Sequence, residues 1–333
     1  MRSTTRDKHG VGAHASGSIR LRYVDEPLGA ASWLRPGARV GQRYQLEQPL
    51  AARTRGVLWQ ARQLPFGTPV TLQLLDSINA ADSDLPGGFL AEAQVAAAVD
   101  HPRVARVVDY GVAAGLPFLV FERLEGESLA TKLAARRRLP LPEVEQLLGD
   151  AALGLGALHD EGLIHRRVDP AHLFLAREAE HTVTKLLFGL DELLGDSSQL
   201  LRTLAQQLGE STPLGASELS DSLGLPPPLD ATAYQSPEHI LGRGPLDEQS
   251  DLWSLAVVVF ECVCGAPAFP GATLGERLVR ICNGPPAAPP EHLALPHGLA
   301  GWFARALHKE PGERFGSAAE LQAAFNASLR SVC

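Results

Sequence analysis

The apolar pattern of the chain changes from strand-like to helical near Gly126, and this change constrains the fold more than any other feature. Over residues 44–121, short runs rich in Val and Leu are separated by turn residues, as is typical of short β-strands. An Ala-rich stretch at 89–99 is the exception and has helical character. After Gly126, leucines recur at helical spacing over 142–159. We therefore expect an α+β fold of two lobes, the first β-rich and the second helical.

The same periodicities give the individual elements. The predicted strands of the first lobe are 45–50, 57–62, 70–75, 104–108 and 118–121. The predicted helices are 89–99, 142–159, 252–262, 301–307 and 318–329.

Size and charge narrow the classes of function. The 333 residues are 45% hydrophobic, which is enough for a sizeable core. A net charge of −8, from 30 basic and 38 acidic residues, argues against a nucleic-acid partner, because such proteins usually carry a basic excess. The apolar runs are far shorter than the ~18 residues of a membrane span, and the N-terminus lacks the apolar core of a signal peptide. We expect no membrane partner and a cytoplasmic location.

The cysteines do not predict a metal centre. Cys262 and Cys264 lie in an apolar stretch that indicates a buried helix, and their spacing places them on different sides of it. No Cys or His follows at a zinc-finger spacing.

A series of short motifs follows in a fixed order. Residues 165–172 read HRRVDPAH and precede an apolar run, and residues 184–189 read TKLLFG. Residues 232–238 read TAYQSPE, residues 250–255 read SDLWSL, and residues 311–315 read PGERF. Earlier in the chain, 118–129 reads FLVFERLEGESL.

Together these motifs resemble the protein kinase family, and bacterial Ser/Thr kinases most closely. The first two resemble the catalytic loop and the strand that leads into D-F-G. The next two resemble the end of the activation segment and the start of the central helix of the large lobe. The resemblance implies a flexible tail at 1–41, a small lobe at 42–125 and a large lobe at 126–330. It also implies an unusually long activation-segment insert at 188–238.

Phosphoryl transfer on this fold needs a specific set of groups. A glycine-rich loop approaches the phosphates, and a strand lysine paired with a helix glutamate holds them. An aspartate orients the acceptor hydroxyl and takes its proton. An asparagine and the D-F-G aspartate hold Mg²⁺.

Besides the glycine-rich loop, the sequence departs from the family at four single positions. Gln73 stands at the strand lysine, and a neutral amide cannot replace a point charge against phosphate. Arg167 stands at the catalytic aspartate, where a cation cannot accept a proton. His172 replaces the asparagine and Leu187 the D-F-G aspartate, although Mg²⁺ prefers oxygen ligands. We therefore expect no intact catalytic residue and no metal site.

Candidate nucleotide contacts remain. The glycine-rich loop keeps only Gly56, but Arg53 and Arg55 offer cations to a phosphate. Glu92 matches the helix glutamate and is expected to have lost its partner, while Glu122 lies at the hinge. No cofactor is expected, and weak ATP binding without Mg²⁺ stays open.

Asp169 is a remote candidate for a rescue of catalysis. It lies two residues after Arg167, at the position where the family has lysine. Asp169 would act as base only if the loop shifted register, and His165 and Pro170 fix that register.

Residues that the resemblance assigns to the scaffold are kept. His165 and Phe188 match two members of the apolar column that joins the lobes. Asp251 matches the aspartate that accepts hydrogen bonds from the catalytic-loop backbone. Glu238 and Arg314 match a buried ion pair of the large lobe.

The insert carries its own signals. Leu200, Leu201, Leu204 and Leu208 line one face of a predicted helix, which either packs on the domain, fills the cleft or docks a partner. Thr203, Thr212 and Ser217 are candidate phosphate acceptors. Arg166 matches the arginine that, in the family that the chain resembles, often pairs with such a phosphate.

These features favour a pseudokinase: a kinase fold without phosphotransfer, acting as a scaffold or allosteric partner of an active Ser/Thr kinase or another signalling protein. Two alternatives stay open, a weak or unconventional Ser/Thr kinase and an ATP-binding sensor without phosphotransfer.

Overall fold

The computed structural model describes residues 35–53, 56–75, 85–113, 116–179, 181–188 and 230–330. Several residues named in the sequence predictions lie outside these ranges. Residues 1–34 of the tail, Arg55, the Arg53 side chain, and residues 189–229 of the insert with its leucine helix and phosphate acceptors all lie outside the described residues.

The first lobe is built on a six-stranded antiparallel sheet with the strand order β1-β2-β3-β4-β6-β5. Its strands are β1 (Arg39–Val40), β2 (Tyr44–Arg53), β3 (Gly56–Gln63), β4 (Thr68–Leu74), β5 (Val107–Ala113) and β6 (Leu116–Phe121).

Both faces of this sheet are apolar. Alternate residues such as Trp59, Leu72 and Val120 form a small core on one face, because successive side chains of a strand point to opposite faces. Leu58 and Phe121 point to the other face and join the main core of the molecule. The central strands are therefore buried on both sides.

Gly56 opens β3 in a backbone conformation that needs glycine. Its φ is +118°, and a Cβ atom there would lie 1.9 Å from the carbonyl oxygen of Leu74. The backbones of β3 and β4 approach closely at this end of the sheet, so only glycine fits at position 56.

One helix, α1 (Leu85–Ala96), packs against the sheet through Phe89, Ala93 and Ala96, which are all buried. It starts four residues before the predicted helix, and Pro86 lies in its first turn, where a missing N–H costs nothing.

The second lobe is mainly helical. It contains β7 (Gly126–Ser128), α2 (Leu129–Arg136), α3 (Leu141–Asp160), β8 (Leu173–Glu178), β9 (His181–Leu186), α4 (Pro237–Leu241), α5 (Glu248–Cys264), α6 (Leu274–Asn283), α7 (Gly298–Ala306) and α8 (Ala318–Arg330). Strands β7, β8 and β9 form a small antiparallel sheet. Helix α5 is buried along most of its length, including Cys262 and Cys264, which are free thiols.

The predicted strand at 104–108 is wrong in position: the strand is Val107–Ala113. Val104 instead forms an isolated bridge with Leu186, and the Ala105 N–H donates to the Leu186 carbonyl at 2.8 Å. The apolar residues at 104–105 are thus buried where the two lobes meet.

The α+β, two-lobed fold expected from the sequence is confirmed, with one continuous apolar core running from the first sheet into the helices. No helix in the described ranges combines the length and apolar character that crossing a bilayer requires.

Candidate functional site

The candidate site is the loop between α3 and β8, and a buried carboxylate at the start of α5 fixes its backbone. Asp251 accepts hydrogen bonds from the backbone N–H groups of His165, at 2.8 Å, and Arg166, at 2.7 Å. The Nε2 atom of His159 lies 2.9 Å from the same carboxylate. Because Asp251 is fully buried, these contacts hold the loop rigidly against the helical lobe.

His165 connects this loop to the strand that follows it. Burial lowers the pKa of His165 to about 4, so its imidazole is neutral near pH 7. Its Nε2 lies 3.1 Å from the Leu187 carbonyl, and its Nδ1 accepts from the Arg167 N–H at 3.3 Å. The ring packs edge-on against Phe188, with centroids 5.8 Å apart. Two of the scaffold residues identified in the sequence are therefore in contact.

Arg167 carries a buried cation at the position where the family has its catalytic aspartate. Its side chain is 9% exposed, and its Nε lies 3.5 Å from Oδ2 of Asp169. The side chain borders a small space that is also lined by Tyr234, Gln235 and Ser254. The Arg167 cation is therefore buried beside the Asp169 carboxylate.

The carboxylate of Asp169 points toward the backbone of the loop that carries it. Its Oδ1 accepts from the backbone N–H groups of Ala171, at 2.8 Å, and His172, at 3.0 Å, and lies 2.8 Å from Nδ1 of His172. Its other oxygen faces Arg167. Asp169 is buried, and these contacts engage both of its carboxylate oxygens within the loop.

The positions of the two metal ligands do not fit Mg²⁺. The Leu187 N–H donates to the His172 carbonyl at 2.8 Å, so the two residues are neighbours. Leu187 is fully buried and has no side-chain oxygen, and His172 directs Nδ1 to Asp169. Mg²⁺ is held by carboxylates, phosphates and water. Across the described ranges, no cluster of three or more His, Cys, Asp or Glu side chains is arranged to hold a metal.

Gln73 lies near the end of β4, opposite Leu58 of β3 and Leu119 of β6. Its side chain is fully buried. A neutral amide fits this environment, since a buried cation would need a paired anion.

Glu92 has a different partner from the one that the family uses. The strand lysine that pairs with this glutamate in the family is Gln73 here, and Nη1 of Arg166 instead lies 2.9 and 3.2 Å from the two carboxylate oxygens of Glu92. With glutamine at position 73, the loop arginine supplies the positive charge. Arg166, which the family resemblance offered as a partner for a phosphate on the insert, therefore binds Glu92 within the described residues.

Glu122, the hinge candidate, is held by a lysine that sequence reasoning missed. Nζ of Lys185 on β9 lies 2.9 Å from Glu122 and 3.0 Å from Glu178. Burial alone would lower the pKa of Lys185, but these two carboxylates outweigh it and raise that pKa. The contact joins the small sheet of the second lobe to the end of β6.

The Glu238–Arg314 pair lies apart from the loop. Arg314 donates to both carboxylate oxygens at 2.7 and 2.8 Å, and Ser250 Oγ donates to the same carboxylate at 2.7 Å. Burial alone would raise the pKa of Glu238, but Arg314 brings it below the usual value. Arg314 also lies over the Trp253 ring, 4.9 Å from its centroid. The pair ties the start of α4 to the turn before α8.

Comparison with known proteins agrees with this architecture. The family model described as the protein kinase domain matches residues 75–325. Serine/threonine-protein kinase pkn2 of Myxococcus xanthus is 30% identical over 295 residues, which cover 86% of this chain and 32% of that protein. Serine/threonine-protein kinase PknB of Mycobacterium tuberculosis is 29% identical over 293 residues, covering 86% and 43%. This chain thus spans less than half the length of either relative.

Solved structures give the same result. The PknI kinase domain of Mycobacterium tuberculosis has a TM-score of 0.64 and 25% identity, over 89% of this chain and 98% of that domain. This chain belongs to the protein kinase domain family.

Proposed function

We propose that this chain is a kinase-like domain of the Ser/Thr class that does not transfer phosphate and acts by binding other proteins. The observation that carries this proposal is the state of the loop and its strand. Arg167, His172 and Leu187 replace the groups that would take the proton and hold Mg²⁺, and the nearest carboxylate, Asp169, is engaged within the loop. Each replacement removes a charge or a ligand that phosphoryl transfer requires.

The scaffold supports a binding role. Asp251 holds the loop, and the Glu238–Arg314 pair is intact. A buried ion pair is costly to break, at about 3–5 kcal/mol when one partner is lost. A chain that keeps the framework of a kinase and replaces its reactive groups keeps the shape of a kinase surface for other proteins to bind.

The partner that we propose is an active Ser/Thr kinase or another signalling protein. The relatives named above are Ser/Thr kinases, and a kinase-shaped module can pair with or regulate a kinase of similar shape. Cross-linking in the native host, followed by identification of the linked proteins, tests this: a Ser/Thr kinase with an intact catalytic loop is expected among them.

The test of inactivity is phosphate incorporation. The purified chain is incubated with labelled ATP and Mg²⁺ or Mn²⁺, alone and with a general Ser/Thr substrate, beside the PknB kinase domain as an active control. We expect no incorporation above the blank. Robust incorporation that disappears in the Asp169→Ala variant would overturn the proposal and favour a weak, unconventional kinase.

A further inference from the structure

The linker between the lobes contains a backbone N–H group that donates a hydrogen bond to a side chain of the protein itself. The linker runs from Glu122 to Glu125, between β6 and β7. The Leu124 N–H donates to Oγ1 of Thr71 on β4 at 3.0 Å, and both residues are buried. Ligand sites between two lobes commonly orient a planar ring through such backbone groups. In this chain a threonine hydroxyl occupies that role.

Apolar side chains from both lobes are buried around this bond. Leu58 and Phe121 of the first sheet and Phe174 of β8 are at most 1% exposed and belong to the same continuous core. An open slot wide enough for a nucleobase would leave such side chains partly accessible. The two lobes therefore meet here as parts of one core.

The linker is also pressed closely onto the second lobe. At Gly126, which has a φ of +141°, a Cβ atom would lie 2.0 Å from the Leu175 carbonyl oxygen and 3.3 Å from Cε1 of Phe174. Only glycine permits this approach. The ring of Phe174 thus lies directly beneath the end of the linker.

Three further contacts join the lobes. Lys185 binds Glu122 at 2.9 Å, and Nε of Arg103 lies 2.5 Å from Asp150. The Leu186 N–H donates to the Arg103 carbonyl at 2.8 Å. A bound nucleotide would have to break the Thr71 bond and separate packed side chains while these contacts hold the lobes together.

We propose that Thr71 closes the crevice between the lobes by standing in for a nucleobase, so that the protein takes no purine nucleotide there and its lobes form one unit. This inference rests on the proposed function, which treats the chain as a binding module, and adds that the module binds no nucleotide. It selects against the ATP-sensor alternative, because the state of such a module would not depend on nucleotide.

The first experiment is amide hydrogen exchange at residue resolution on the full chain. The wild type is compared with Thr71→Val, which keeps the shape but removes the hydroxyl, and with Thr71→Ser, which keeps the hydroxyl. We expect the Leu124 amide to be protected in the wild type and in Thr71→Ser. In Thr71→Val it should exchange roughly tenfold faster or more, because a buried donor has lost its acceptor. The Glu122 amide donates to the Arg106 carbonyl and is the internal control, with an unchanged rate.

The second arm adds millimolar ATP or adenosine, with and without Mg²⁺, to the wild type. We expect neither compound to change the exchange of the Leu124 amide or to give calorimetric binding heat. Fast exchange of Leu124 in the wild type, or saturable purine binding that protects the linker, would overturn the inference, and this holds even if the Val variant fails to fold. Purine binding without phosphate incorporation would refute only this inference, whereas incorporation would refute the proposed function.

Discussion

At the scale of single residues, the charged side chains of the loop are paired with other side chains of the protein. Asp169 faces His172 and Arg167, and Arg166 faces Glu92. In the family these positions direct charge to phosphate and metal. Here each charged side chain finds an internal partner, which explains how the loop stays folded with an arginine in place of the aspartate.

The Glu92–Arg166 pair should contribute a small, salt-dependent coupling. The two side chains are 30% and 35% exposed, so solvent screens the interaction and we expect about 0.5 kcal/mol. A double-mutant cycle with Glu92→Gln and Arg166→Gln, followed by urea unfolding at low and high salt, measures it. Additive single-variant effects at low salt would show that the pair is not formed in solution.

His165 should make stability depend on pH. Its pKa is about 4 in the folded chain, against an ordinary value of 6.5, so the unfolded state binds more protons between these values. Stability from this group is therefore complete above about pH 6.5 and is lost as the pH falls, by about 2 kcal/mol between pH 7 and pH 5. His165→Gln should remove this part of the pH dependence. An identical pH profile for the variant would mean that His165 titrates normally when folded.

At the scale of elements, α3 approaches the lobe junction through a single glycine. A Cβ atom on Gly154 would lie 2.7 Å from Cδ1 of Leu186 and 2.8 Å from the Arg103 carbonyl oxygen. The backbone at Arg103 is itself bonded to β9, so it has little freedom to move. The close packing of α3 at this point therefore depends on the absence of one methyl group.

Alanine substitutions in α3 test this packing with a built-in control. Gly154→Ala should destabilise the fold by about 1–3 kcal/mol, as overpacking does. Gly156 lies two residues along, and a Cβ atom added there would meet no neighbouring atom within 4 Å. Gly156→Ala should therefore be neutral or stabilising by up to about 1 kcal/mol. Chemical unfolding of the two variants gives both values, and equal effects would contradict the packing described here.

The sequence was sufficient for the elements with strong periodicity and insufficient for pairs that are distant in sequence. Helix α3 and strands β3 and β4 follow from local patterns. The contacts Glu92–Arg166, Glu122–Lys185 and Thr71–Leu124 join residues 74, 63 and 53 positions apart. Nothing in the spacing says which long polar side chain reaches which partner. For the same reason, the apolar residues at 104–105 did not distinguish a strand from a bridge at the lobe junction.

At the scale of the whole molecule, the two lobes share one core, and polar bonds surround the linker that joins them. Asp251 and the Glu238–Arg314 pair hold the large lobe, while Thr71 and Lys185 hold it to the small one through the linker. This arrangement keeps the fold of the protein kinase domain. On the proposed function, a binding surface on this molecule forms without nucleotide.

The most direct test of this account is thermal unfolding of the purified chain with and without excess ATP, each with and without Mg²⁺. A ligand at about 100 times its dissociation constant stabilises a fold by ~2.7 kcal/mol, which gives a clear shift in Tm. We predict no shift with ATP in either condition. A shift without Mg²⁺ would contradict the closed crevice, and a shift that requires Mg²⁺ would contradict both the closed crevice and the absence of a metal site.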